Sequence, residues 1–307
     1  HANLQPNQIY KLRIIGKPVL PRYEWTTSGL NFIGFPTPLT SPPNFDQYFV
    51  HSPELHRNGE IYLYNGGALS DGTNPARLFS LSSTEVRRGE AMWIRGTAGQ
   101  YSNYFGPLKV TLQDPDGVHL GDSLKNYRVI VRNMSSKPIT IKLAQLPSEV
   151  PPTGQPIHVA SPPLVVRGEL NTEILDHNYF ALNAKGREWE LESKNEPGSA
   201  VEIILGVDRS KMNQISGNLY AGLLRITDNL SENSQTGGGS QGMTQIDLQV
   251  TATVPSMEGL WVGEALVDEV RHDLTSYENE DEGDSVQNNS SKTGNSPAFN
   301  DVYFSFA

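Results

Sequence analysis

The histidines of this sequence are the side chains best suited to bind a transition metal, because imidazole is a good copper and zinc ligand. His1 begins the chain, and a terminal histidine can bind copper through its α-amine and imidazole once a second histidine completes the site. Candidates for that second ligand are His51, His56, His119, His158, His177 and His272. None of them lies in a recognisable motif, so a terminus left by processing is the preferred interpretation, and copper binding is the alternative.

Two carboxylates could bind calcium. Asp114 and Asp116 alternate in Asp114-Pro115-Asp116-Gly117, as carboxylates do in calcium-binding loops. The residues that follow contain neither a second Asp-x-Gly pattern nor a downstream glutamate placed to bind calcium with both oxygens. The same four residues are typical of a tight turn. A turn is therefore preferred, and calcium binding is the alternative.

Three aromatic residues could stack on sugar rings. Trp25, Tyr101 and Tyr104 lie among polar turn residues, where a ring can stay exposed. Aromatic residues within strands more often pack in a core or at a domain junction. These three residues are therefore the candidate glycan-binding positions.

The motifs of common enzyme classes are missing from this sequence. It contains no Gly-x-Ser-x-Gly, and Gly237-Gly238-Gly239-Ser240 lacks the lysine and helix of a phosphate-binding loop. Glu188, Glu190 and Glu192 alternate around Trp189, so they are predicted to share the solvent face of one strand rather than to face each other across a cleft. We expect no enzymatic activity and no cofactor.

The charge and the cysteine count exclude several partners. The net charge is −10 at pH 7, whereas nucleic acids and anionic lipids attract basic surfaces. No apolar run approaches the roughly 20 residues of a membrane helix, so no membrane insertion is expected. The chain has no cysteine, which excludes disulfides and thiolate metal sites and fits many exported bacterial proteins.

The composition favours an all-β fold. Hydrophobic residues make up 36% of the chain, below the usual 45–50%, and there are 28 glycines and 21 prolines. Short alternating runs bounded by turn residues are typical of strands. The expected domains are a small β module at residues 1–106, a β-sandwich at 107–254 and a strand–acidic loop–strand segment at 255–307. The last segment is expected to belong to a further domain of a longer protein.

Several local structures can be predicted within these segments. Residues 43–50 are predicted to form a helix capped by Ser41. Residues 127–133 and 139–143 have the spacing of a β-hairpin with a loop of about five residues. The core of the sandwich is predicted to contain Val129, Val131, Ile203, Leu224, Ile226, Leu248 and Val250.

Three stretches of the first segment resemble a known module. They are Gly29-Leu30-Asn31-Phe32-Ile33-Gly34-Phe35-Pro36, Ile61-Tyr62-Leu63-Tyr64-Asn65 and Arg88-Gly89-Glu90-Ala91-Met92-Trp93-Ile94. Together they look like the "GWNLIGFP … YxYN … pGxgYWV" module of large exported bacterial proteins. Leu30 and Met92 replace the usual tryptophan and tyrosine.

The second segment resembles immunoglobulin-like domains. Val129-Ile130-Val131-Arg132-Asn133 and Tyr220-Ala221-Gly222-Leu223-Leu224-Arg225-Ile226-Thr227 look like strands of a Hydin-type or major-sperm-protein-like module. Gly259-Leu260-Trp261-Val262-Gly263 resembles a motif that follows such domains in planctomycete or verrucomicrobial surface proteins. The resemblance implies an Ig-like β-sandwich in an exported, multidomain bacterial protein.

The expected function is that of a non-enzymatic structural, adhesive or assembly component, located outside the cell or at its surface. The expected partners are other subunits or further domains of the same chain, bound by strand addition through residues 299–307, which include the uncharged run Val302-Tyr303-Phe304-Ser305-Phe306. The alternative is a carbohydrate-binding accessory module, whose partner would be a glycan.

Overall fold

Most regular structure in the described part of the chain is β-strand. The computed structural model describes residues 15–21, 24–26, 29–64, 74–96, 104–173, 175–213, 215–230 and 242–256. The chain divides into two compact units, His1–Gly259 and Leu260–Ala307, and all of these residues lie in the first. Among them, no helix is long and apolar enough to span a bilayer. The all-β class is confirmed, while the predicted C-terminal strand pair lies outside the described residues.

A small antiparallel sheet lies at the N-terminal side of the chain. Its strands are β1 Asn31–Gly34, β2 Glu60–Leu63, β3 Ala76–Arg77 and β4 Ala91–Arg95, in the order β1-β4-β2-β3. Alternation turns Ile33, Ile61 and Ile94 towards the core, where each is buried. Strands β1, β2 and β4 each overlap one of the three motif stretches of the first segment.

Two short helices connect β1 to β2. They are α1 Phe45–Phe49 and α2 Pro53–Asn58. The predicted helix is confirmed, but its predicted cap is wrong, because Asn44 and Gln47 form a reciprocal capping box instead of Ser41 capping the helix. The reason is that Pro42 and Pro43, which follow Ser41, have no N–H for its side chain to bind.

Two five-stranded sheets form a sandwich. One contains β5 Leu108–Leu112, β7 Tyr127–Asn133, β9 Leu164–Asn171, β10 Asp176–Ala181 and β12 Ala200–Val207. The other contains β6 Val118–His119, β8 Ile139–Pro147, β11 Arg187–Leu191, β13 Leu219–Asp228 and β14 Gln245–Thr253. Their strand orders are β10-β9-β12-β7-β5 and β11-β8-β13-β14-β6. This arrangement confirms the Ig-like β-sandwich.

The predicted core of the sandwich is confirmed. Its seven residues come from both sheets, and each is at most 2% exposed. They alternate along β7, β12, β13 and β14 with partly exposed or exposed residues, which is the period-2 pattern that predicted them.

The predicted hairpin of β7 and β8 is wrong. β7 pairs with β5 and β12, whereas β8 pairs with β11 and β13, so the connection between them crosses from one sheet to the other. The buried Asn133 holds this crossover, since its amide donates to Lys137 O and to Glu192 O at 2.8 Å and its oxygen accepts from Ser135 N. Loop length alone does not distinguish a hairpin from such a crossover.

The small sheet and the sandwich contact each other within the first unit. Gln245 N donates to Pro36 O at 2.7 Å, and Arg88 donates to Gln245 O and to Asp247 Oδ2 at 3.1 and 3.0 Å. The ring of Phe35 packs between Tyr48, Phe49 and Phe105 at centroid distances of 5.0, 5.4 and 6.4 Å. The boundary at residue 106 stays a prediction, because nothing divides this unit there.

Candidate functional site

A groove opens between the edge strands of the two sandwich sheets. β10 and β11 are consecutive in the chain, and each lies at the edge of its sheet. The groove has a volume of about 470 Å³ and is lined by residues 166–169 of β9, Asn178 and Phe180 of β10, and Arg187 and Trp189 of β11. This volume lies in the range of sites that bind small ligands or single side chains.

A β-bulge shapes one wall of the groove. His177 pairs with Leu170 and Tyr179 pairs with Arg167, so two residues of β9, Gly168 and Glu169, oppose the single residue Asn178. A bulge locally changes the direction of side chains. The bulge lies outside the regular pairing of Val166 with Phe180 and of Arg167 with Tyr179. The side chain of Val166 therefore shares the face of Phe180, and that of Arg167 shares the face of Tyr179.

Phe180 and Arg187 join the two walls. The guanidinium carbon of Arg187 lies 4.2 Å from the ring centroid of Phe180, which is a cation–π contact between the two sheets. Gly168 makes this possible, because a side-chain carbon at residue 168 would overlap the Phe180 ring. The groove therefore holds one planar cation in a fixed position beside an aromatic wall.

The two arginines of the groove have no carboxylate partner among the described residues. Arg167 and Arg187 are half-buried, yet neither forms an ion pair or a hydrogen bond with the described part of the chain through its guanidinium. Glu169 also lines the groove, but it is exposed. The half-buried Arg187 guanidinium makes the wall beside Phe180 locally basic in a chain of net charge −10.

Among the described residues, no strand pairs with the outer edge of β10. Leu182 N donates to Leu164 O at 2.9 Å, so by alternation Phe180 also directs its N–H towards β9. The N–H groups of Tyr179 and Ala181 consequently point away from β9, towards the open edge. β10 carries no proline or lysine, the residues that commonly block such an edge.

Exposed apolar residues surround this edge. Leu170, Leu175, Tyr179 and Phe180 belong to β9, β10 and the turn that joins them, and each is 40% to 80% exposed. Exposed apolar side chains that cluster in this way are typical of an interaction surface.

A second surface feature is a row of aromatic rings across the small sheet. Phe32, Trp93 and Tyr62 are direct cross-strand neighbours on β1, β4 and β2. Phe32 is 60% exposed, and its ring centroid lies 4.8 Å from that of Trp93. Each ring belongs to one of the three motif stretches of the N-terminal segment, so the motifs together form one surface.

The structure corrects two of the three predicted stacking residues. Trp25 is 6% exposed and packs against Phe105, and Tyr104 is 2% exposed and packs against Tyr48. Neither ring offers a free face to a sugar, because the small sheet and the sandwich contribute enough apolar surface to bury both. Tyr101 lies outside the described residues.

The predicted metal ligands do not converge in the described part of the chain. Asp114 closes a turn, since its oxygens accept from Asp116 N at 2.9 Å and from Gly117 N at 3.3 Å, as the preferred interpretation predicts. His1 and His272 lie outside the described residues. No group of three or more metal-binding side chains occurs among the residues that the structure describes.

A buried polar cluster lies where the small sheet meets the sandwich. Asp228 accepts from the backbone N–H groups of Leu230, Met243 and Thr244, and burial raises the pKa of its carboxyl. Burial and then the charge of Asp228 also raise the pKa of the Tyr104 hydroxyl. Asp228 is only 4% exposed, and its three backbone donors come from the residues that join β13 to β14, so it holds the base of this hairpin.

The sequence contained only weak signals for the groove. β9 begins with Leu164-Val165-Val166 and β10 contains Tyr179-Phe180, so both have strand-forming residues. The proline-rich stretch before β9 and the polar residues of β10 obscured the alternation. Whether Arg167 and Arg187 form ion pairs depends on the whole fold, and the residues next to them in sequence do not indicate it.

Comparison with known proteins adds little to this description. No family model matches the chain, and no curated protein matches it. Among solved structures, the chain is similar to the ASH / PapD-like domain of human CEP192 (PapD-like domain 7). The two share 10% sequence identity with a TM-score of 0.25, over 50% of this chain and 87% of that chain. The fold assignment rests on the strand order and the common core.

Proposed function

We propose that this protein is a non-catalytic structural or assembly component that receives a strand of a partner chain along β10. The observation that carries the proposal is the open edge of β10, where the N–H groups of Tyr179 and Ala181 point outwards beside exposed apolar side chains. Main-chain hydrogen bonds supply affinity in strand addition, and side-chain pockets supply specificity. The groove next to β10 provides such a pocket.

The test uses a variant that blocks the edge. Ala181→Pro removes an outward N–H without removing a bond to β9, and edge strands tolerate proline. Peptides selected on the protein from a displayed library of random twelve-residue sequences are expected to bind the unchanged chain and to protect the amides of Tyr179 and Ala181 from hydrogen exchange. Binding is expected to be lost in Ala181→Pro and kept in Ala181→Val. Equal binding to both variants would show that the edge is not the site.

The predicted assembly through residues 299–307 falls outside the described residues and stays a prediction. Its measurement is light scattering of the intact chain and of a chain lacking residues 299–307. A larger mass for the intact chain at high concentration would support it, whereas two monomers would exclude it.

The extracellular or surface location is part of the same proposal. Its support is the resemblance of the motif stretches to modules of exported bacterial proteins. An antibody against the purified protein should label the surface or extracellular fraction of the source cells. Labelling confined to the cytosol would overturn the proposed location.

A second candidate function is glycan binding by the aromatic row. The ring centroids of Phe32 and Trp93 lie 4.8 Å apart, and Tyr62 is the cross-strand neighbour of Trp93 on its other side, so the row would offer a sugar an aromatic surface to stack on. Phe32→Ala should abolish saturable binding on a glycan array without affecting the fold, because Phe32 is largely exposed. Phe79→Ala, at an exposed ring outside the row, is the matched control. If no glycan is bound saturably, this candidate fails.

A further inference from the structure

We infer that the partner strand is acidic, and that the groove beside β10 binds a carboxylate side chain of that strand through Arg187. This inference rests on the proposed strand addition along β10 and adds the chemistry of the partner to it. Four observations carry it: the lack of a carboxylate partner for the arginines in the described part of the chain, the fixed position of Arg187, the charges around the groove and the geometry of an added strand.

The first observation is that both arginines are half-buried without an anionic partner in the described part of the chain. A guanidinium has five N–H donors and loses hydration when it is partly buried, so it gains most from a carboxylate that accepts two parallel hydrogen bonds. Elsewhere in the protein, arginines such as Arg88 and Arg225 meet this need with Asp247. In the groove, a ligand would have to supply the carboxylate.

The second observation is that the side chain of Arg187 is held in place before any ligand binds. Its contact with the Phe180 ring, at 4.2 Å, holds the guanidinium at the mouth between the sheets. A cation held by an aromatic ring loses less conformational freedom when a ligand binds. The apolar surfaces of Phe180 and Trp189 also exclude water from one side of the site, which strengthens an ion pair there.

The third observation concerns the acidic residues around the groove. Glu188 lies on the outer face of β11 and is 4.0 Å from Lys142, so it is already paired with another cation. Glu169 lines the groove but is exposed, so solvent and salt screen its charge. The positive charge of Arg187 therefore dominates the half-buried part of the groove beside Phe180.

The fourth observation is geometric. In a strand added to β10, alternate side chains would point to the same face as Phe180, which is the face that the groove occupies. Residues two apart in that strand lie about 6.6–6.8 Å from each other. Acidic residues at alternate positions would thus present a row of carboxylates to the groove, while the backbone bonds to Tyr179 and Ala181.

The experiment compares three octapeptides: alternating Thr and Glu, alternating Thr and Gln, and alternating Thr and Lys. Binding to the full chain is measured by titration of fluorescently labelled peptide at low and high salt. The Glu peptide is expected to bind at least about tenfold more tightly than the Gln peptide, because charge-assisted hydrogen bonds are stronger than neutral ones. The Lys peptide should bind least, and added salt should weaken the Glu peptide alone.

Variants assign this preference to the groove. Arg187→Gln should reduce binding of the Glu peptide about tenfold and leave that of the Gln peptide unchanged, whereas Arg167→Gln, on the face of Tyr179, should have a smaller effect. Arg187→Lys should recover part of it, because lysine keeps the charge but not the planar pair of donors. Arg132→Gln, at an exposed arginine of β7 outside the groove, is the matched control. Unchanged melting temperatures would confirm that the variants are folded.

Each other outcome overturns a defined part of the idea. Equal binding of all three peptides, lost in Ala181→Pro, would overturn the acidic preference and leave strand addition standing. Binding of the Glu peptide that is insensitive to Ala181→Pro would show an anion site without strand addition, so the proposed function would fail. Binding of polygalacturonate without binding of any peptide would show that the groove recognises an acidic glycan, and the inference would be wrong.

Discussion

Asp247 on β14 connects the small sheet to the sandwich through its carboxylate. Arg225 Nε donates to it at 2.7 Å, and Arg88 and Gln245 each donate to it at 3.0 Å. Burial acts to raise the pKa of Asp247, but the bonds from Arg225 and Gln245 and the charge of Arg88 outweigh burial and lower it. The ionised carboxylate of Asp247 is therefore more stable in the folded protein than in the unfolded chain.

The first prediction concerns the pH dependence of this group. A lowered folded pKa contributes stability above the unfolded pKa of about 4, and this contribution disappears as the pH falls through the folded pKa. Asp247→Asn should cost about 1–3 kcal/mol at pH 7 and progressively less below pH 4. Urea denaturation across this pH range measures the difference. A cost that does not change with pH would contradict the prediction.

Asp228, on the neighbouring strand β13, should behave in the opposite way. Burial raises the pKa of its carboxyl despite three backbone donors. Its stabilising contribution is therefore complete below the unfolded pKa of about 4 and is lost as the pH rises through the folded pKa. The cost of Asp228→Asn should be larger near pH 4 than at pH 7. The same titration checks this, with Asp247→Asn as the control of opposite slope.

At the scale of elements, Asn133 fixes the crossover from β7 to β8. It is fully buried, and its amide nitrogen donates to two carbonyls from different parts of the chain. Asn133→Asp would place a carboxylate against both carbonyl oxygens and leave them without a donor. We expect this variant to lose several kcal/mol of stability, because unsatisfied buried polar groups cost about 1–3 kcal/mol each.

Asn183→Asp is the matched control for Asn133→Asp. The Asn183 side chain only accepts a hydrogen bond, from Lys185 N at 2.9 Å, and a carboxylate accepts equally well. Its melting temperature should be nearly unchanged. If both aspartate variants melt alike, the donor role of Asn133 is not what holds the crossover.

At the scale of the whole molecule, the small sheet and the sandwich should unfold together. Phe35 on the segment after β1 packs against Tyr48, Phe49 and Phe105, and it is 3% exposed. Phe35→Ala should therefore destabilise both parts, by about 3–5 kcal/mol. Hydrogen exchange should become faster in β14 as well as in β4.

The control for this prediction is Phe79→Ala, at a ring that is 84% exposed. It should leave exchange in both strands unchanged. Faster exchange in β4 with normal protection in β14 would show that the two parts are independent folding units, and the predicted boundary near residue 106 would then gain support.

The sequence by itself determined the strands that have one buried face. β7, β12, β13 and β14 alternate strongly, because every second side chain enters the core, and so both their positions and their core residues were predictable. β10 was not predictable, since nearly all of its residues are exposed at the edge of the sheet and therefore show no alternation between buried and exposed positions. The strand that forms the candidate site is thus the one with the weakest pattern.

Only the tertiary structure decided which strands pair and which arginines have no ion pair within the described residues. Alternation shows that a side chain faces a core, but not which sheet carries it, and so the crossover of β7 and β8 resembled a hairpin. Likewise, Trp25 and Tyr104 lie among polar neighbours in sequence and are buried by residues far along the chain. The groove also depends on the tertiary structure, because Phe180 and Arg187 belong to different sheets and their contact exists only once the sandwich has formed.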